Sequence, residues 1–172
     1  MLYKLIAVFS LVFSLAACFD EQETGAKEVR WDRDTCDRCR MVLSDPYFAA
    51  QIRYIPKGKS KSKVAEFDDI GCAMIWLEDK KFKDASSTEI WVSSHKNRGW
   101  INAKKATFVH KKTSPMEYGL GAQIEFEESG LNYEQAKAHV FKIEEKFNLH
   151  GKKGRSHKHD SKKQAIDRKE IK

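Results

Sequence analysis

YFAAQIRYIPKGKSKSKVAEFDDIGCAMIWL, residues 47–77, contains a strand, a turn, a second strand and a helix in thirty-one residues. Tyr47 to Ile55 is aromatic and β-branched, the composition of a strand. Residues 56–63, PKGKSKSK, hold no apolar side chain and read as a charged turn. Val64 to Phe67 is a second short strand. Asp68 or Asp69 then caps a helix. Within it Ile70, Ala73, Met74 and Leu77 fall at i, i+3, i+4 and i+7, the spacing of a core-facing stripe. Met74 is therefore a core residue. Cys72 lies off that stripe and reads as a small buried side chain rather than a ligand.

Working outward, Glu89 to Val92 and Trp100 to Val109 are expected strands flanking the polar loop SSHKNRG (93–99), and Ala122 to Phe126 is another. Asn132 starts a second helix, with Gln135 three residues on in a capping-box pattern. Ala136, Val140, Ile143 and Phe147 share one of its faces. FAAQIRY (48–54) is echoed by LGAQIEF (120–126), each following a methionine, Met41 or Met116. The expected fold is α+β, with two related strand-strand-helix (ββα-like) halves in one domain.

The ends of the chain differ in character from the middle. Residues 1–17 read as a lipoprotein signal peptide: Lys4 precedes the apolar run Leu5 to Leu15, which is too short to span a bilayer. Leu15-Ala16-Ala17-Cys18 looks like a bacterial lipobox, so Cys18 is expected to carry lipid and tether the protein to a membrane on its periplasmic face. Phe19 leaves the choice of inner or outer membrane open. Residues 18–30 are read as the anchor and a flexible leash, polar and containing Gly25. Residues 31–150 form the folded domain. From Gly151 to Lys172 nine lysines and arginines face three acids, and almost nothing is apolar, so this basic, histidine-containing tail is expected to be disordered. The tail and Lys4 account for the whole +7 charge, leaving the body near neutral with no basic stripe for nucleic acid.

With Cys18 lipidated, Cys36, Cys39 and Cys72 remain. Three cysteines in an oxidising compartment do not close a disulfide framework, which points to metal or redox chemistry. The hexapeptide CDRCRM (36–41) admits three readings. A structural zinc site needs four ligands at readable spacing, and the sequence offers no second pair. A dithiol oxidoreductase using Cys36 and Cys39 wants CxxC at a helix N-terminus. Ser114-Pro115 would then imitate a facing cis-proline. Asp37 within the motif, however, disfavours a thiolate, and Asp45-Pro46 interrupts the chain soon after. A soft-metal clamp uses Met41, because thioether and thiolate sulfur together suit Cu(I). Met116, in the Pro- and Gly-shaped loop TSPMEYGLG (113–121), is a second thioether held outside any helix stripe. His95 and His110 are ambiguous as nitrogen donors.

The lipobox, CxxCxM, FDDIGC (67–72), the WV and WI segments near residues 91–101, and the TxPMxYG loop (113–119) occur in an order that resembles the NosL-like lipoproteins, copper accessory proteins of nitrous oxide reductase. The likeness runs from Cys18 to about Phe126. It implies a membrane-anchored periplasmic Cu(I) metallochaperone that passes copper to maturing nitrous oxide reductase, without catalysis of its own. The implied ligands are Cys36, Cys39, Met41 and Met116. Where the family commonly has glycine between the second cysteine and the methionine, this chain has Arg40, which puts the loop geometry in question. The rival reading, an extracytoplasmic thiol-disulfide oxidoreductase, uses the Cys36/Cys39 pair alone.

Overall fold

Asp45 turns the chain into its first strand: its carboxylate accepts from the Tyr47 N–H at 2.9 Å, an Asx turn that reverses the backbone at Pro46. The computed structural model describes residues 23–111 and 113–147. Strand β1 (Ala50–Tyr54) pairs antiparallel with β2 (Lys63–Phe67), in register from Ala50↔Phe67 to Tyr54↔Lys63. The turn between them contains Gly58 at φ +74, a conformation glycine adopts without steric cost. Helix α1 (Ile70–Glu78) follows, then β3 (Glu89–Ser93), β4 (Trp100–Asn102), β5 (Thr107–His110) and β6 (Leu120–Gln123). Residues 133–147 form helix α2.

The fold is α+β, with antiparallel sheets and two α-helices among the described residues. One sheet has four strands in the order β2-β1-β3-β4, and the other pairs β5 with β6. Two strand-strand-helix units, β1-β2-α1 and β5-β6-α2, are present in chain order, with β3 and β4 extending the first sheet. The repeated AQI triplet is not their structural equivalence. Residues 50–52 open the first strand of their unit, with Ile52 fully buried, whereas Ala122 and Gln123 end the second strand of theirs and Ile124 lies beyond it, 72% exposed.

Three segments depart from expectation. The stretch from Trp100 to Val109 is not one strand, because Asn102 accepts from the Lys104 N–H and caps a 3-10 turn, Ala103–Lys105, that separates β4 from β5. The last strand is displaced to Leu120–Gln123, leaving Ile124 and Phe126 outside it and exposed. The expected leash is docked over part of its length. Gln51 exchanges hydrogen bonds with the backbone of Lys27 (2.7 and 2.9 Å), Arg53 donates to the Gly25 carbonyl (2.9 Å), and Glu89 accepts from the Gly25 N–H (2.7 Å). These bonds explain how Gln51 and Arg53 are buried on β1 without an unpaired polar group. Cys18 and the segments read as a signal peptide (1–17) and a disordered tail (151–172) lie outside the described residues.

Both helices form as their sequences dictate. Asp69 caps α1 by accepting from the Gly71 N–H at 2.9 Å, and Ile70, Ala73, Met74 and Leu77 are all buried. Asn132 and Gln135 make the reciprocal capping box at 2.9 Å each, satisfying two amides at the start of α2. Ala136 and Val140 are fully buried and Ile143 packs on the same core, while Phe147 is 47% exposed.

Candidate metal centre

The hexapeptide 36–41 closes on itself. The Cys36 N–H donates to the Met41 carbonyl (2.8 Å), and the Arg40 N–H donates to the Cys36 carbonyl (3.0 Å). Thr35 and Val42 bridge across its base. The Cys39 N–H points at the Cys36 sulfur, 3.3 Å away. Arg40 occupies the left-handed region at φ +68, so the loop keeps a turn that suits glycine even though an arginine fills it, at a cost of about 1–2 kcal/mol. Asp37 does not face the thiols. Its carboxylate accepts from the Glu66 N–H (2.9 Å) and its own N–H donates to the Glu66 carbonyl (2.8 Å), fastening the loop to the edge of β2.

That attachment brings the loop to the start of α1. Cys36, Cys39, Asp68 and Cys72 each place one donor atom within 4.8 Å of the others. Cys36 and Cys72 are completely buried, Cys39 is partly open, and Asp68 is buried. The Cys39 thiol donates to Asp68 Oδ2 at 3.2 Å. Asp68 Oδ1 has no hydrogen-bond partner among the described residues. A buried carboxylate oxygen left so pays its full desolvation cost, and coordination of a cation would satisfy it.

The three thiols are electrostatically distinct. The Cys72 thiol, with smaller help from the backbone N–H groups of Cys39 and Asp68, pulls the Cys36 pKa down to about 6 against the opposing effect of burial. Burial pushes Cys39 up to about 12. Cys72 is held well above the usual thiol range, first by donating to Cys36 and then by burial. Cys36 is thus the most readily ionised of the three cysteines.

The second loop meets the first at adjacent aspartates. Asp69, next to Asp68, accepts from Ser114 Oγ (2.6 Å) and from the Met116 N–H (3.3 Å), and the Gly119 N–H donates to Ser114 Oγ (3.0 Å). Burial raises Asp69 to about 6 against the pull of its donors. The Tyr118 ring packs directly on Gly71: a Cβ there would stand 2.2 Å from the ring. The segments 36–41 and 114–119, some seventy-five residues apart in the chain, therefore converge on Asp68-Asp69.

Of the residues singled out from sequence, Cys36 and Cys39 belong to this group of four. Met116 is partly buried against the core that contains Cys36 and Cys72. Met41 is 51% exposed. His95 instead bonds Gln123 (3.0 Å), and His110 is exposed and stacks edge-on against His139. Asp68 and Cys72 were not anticipated as site residues. Cys72 is off the helical stripe, yet the whole first turn of α1 is buried, so the off-stripe direction faces the loop rather than solvent. The readable signal was FDDIGC: two acids, of which the cap uses one, followed by a cysteine in the first turn.

Residues 37–39 form a turn, so the CxxC does not sit at the helix N-terminus that the dithiol reading expects. No protein-family model, curated protein or solved structure matches the chain. No helix among the described residues is long and apolar enough to cross a membrane.

Proposed function

We propose that the protein binds one Cu(I) ion as cargo and hands it on, as a membrane-anchored periplasmic metallochaperone. The observation that carries the reading is the Cys36-Cys39-Asp68-Cys72 group with an unpaired, buried Asp68 oxygen. Three sulfurs and one carboxylate fit a soft or borderline ion. The lowered pKa of Cys36 favours the thiolate form that binds a metal ion. Met116, on the loop that shares the Asp68-Asp69 corner, supplies a thioether for ligand exchange, and Met41 on the outer side of the loop supplies another nearer solvent. Cys39, the most open of the three cysteines, gives an acceptor a sulfur to approach. The motif order resembling NosL-like lipoproteins supports copper as the metal, Cys18 as the lipid attachment and nitrous oxide reductase or its assembly machinery as the recipient.

The test is a titration of the reduced full-length protein with Cu(I) against a competing chelator, run beside a disulfide-reduction assay. The expected result is one tightly held equivalent, weakened by Met116→Ala and less so by the exposed Met41→Ala, with no turnover of a model disulfide. Preference for Zn(II) over Cu(I), or disulfide reduction indifferent to both methionine variants, would contradict the proposal.

A further inference from the structure

Arg38, the third residue of the hexapeptide, points inward from its loop. Its Nη1 lies 3.8 Å from Cys72 Sγ and 3.2 Å from the Tyr118 hydroxyl, and its Nη2 pairs with Glu144 Oε1 on α2 at 2.6 Å. Tyr118 in turn donates to Glu144 Oε2 at 2.7 Å. The guanidinium is mostly covered, with 24% of its side chain exposed, and is fixed from three sides. Arginine stays charged at any working pH, so this is a permanent positive charge against a sulfur of the metal group.

We infer that Arg38 sets the charge preference of the site, supplying as a fixed group the second positive charge that a monovalent ion lacks. This deepens the cargo reading and rests on it. Cysteine and aspartate donors alone attract a divalent ion more strongly than a monovalent one, because the attraction scales with ionic charge. A guanidinium beside Cys72 offsets part of that negative potential and so penalises a divalent ion about twice as much. Glu144, paired with the other terminal nitrogen of Arg38, partly cancels the effect. Arg38 touches a ligand and not the ion, and is a positioning residue for charge.

The two partners of this ion pair make opposite predictions. At fixed pH, the full-length reduced protein is titrated with Cu(I) and separately with Zn(II), each against a competing chelator, and the ratio of affinities is read. Arg38→Gln is expected to shift the ratio about tenfold toward Zn(II), as loss of one partly offset charge a few ångströms away requires. Glu144→Gln is expected to shift it toward Cu(I), because the arginine charge is no longer countered while Tyr118 still holds the group. Arg38→Lys, which keeps the charge, should return most of the ratio. A purely structural role would make both neutralising variants weaken both metals in parallel. Shifts in the same direction, or an unmoved ratio in a protein that does take up Cu(I), overturn this inference alone. Failure of the unsubstituted protein to take up Cu(I) overturns the cargo reading and this inference with it.

Discussion

Cys72→Ala is expected to cut Cu(I) affinity by well over a hundredfold, beyond the 10- to 100-fold typical for loss of a partner outside the ligand shell. The substitution removes a donor atom from the group of four, and it also removes the hydrogen bond that does most to make Cys36 a thiolate. Alanine is the right replacement, since a buried serine hydroxyl would gain a partner in Arg38 and blur the result. The fold should survive, because a single small side chain leaves a modest cavity worth about 1 kcal/mol. Chelator competition reads the first effect and thermal melting the second. Unchanged affinity would mean that Cys36, Cys39 and the methionines bind copper without α1, and that the group of four is merely structural.

Gly71→Ala is expected to destabilise the protein by about 3 kcal/mol, the upper end of the overpacking range, with a fall in Tm of roughly 10 °C. The added methyl would stand 2.2 Å from the Tyr118 ring, and neither side can yield cheaply. Gly71 belongs to the first turn of a capped helix, while Tyr118 is held through its hydroxyl by Glu144 and Arg38 and through its carbonyl by His139. Moving the ring moves Met116, two residues away, off the Asp69 corner. Chemical denaturation measures the loss of stability. A near-neutral effect would show that the Tyr118 loop is not packed against α1 as described.

The local devices of this fold are legible in sequence because each is set by neighbouring residues. The Asp69 cap, the buried stripe of α1 and the Asn132-Gln135 box involve partners within a few positions, and all three form. The errors arise where distant contacts decide. One exception is local: NAKK (102–105) interrupts the run between Trp100 and Val109, and Asn102 caps a 3-10 turn there that the single-strand expectation passed over. Residues 25–30 look like a leash until Gln51 and Arg53 on the opposing strand are seen to need their backbone. The site follows the same division. Cys36 and Cys39 stand out by spacing alone. Cys72 and Asp68 join them only because Asp37 fastens the loop to β2, whose end leads directly into α1. Nothing local marks Arg38 within its Arg- and Asp-rich stretch, because its partners Tyr118 and Glu144 lie 80 and 106 residues away.

The most direct measurement is an X-ray absorption spectrum of the reduced protein loaded with one equivalent of Cu(I). Convergence of the 36–41 loop, the first turn of α1 and the 114–119 loop predicts a shell dominated by sulfur, diminished by one sulfur in Cys72→Ala. A shell of nitrogen and oxygen neighbours alone would contradict it.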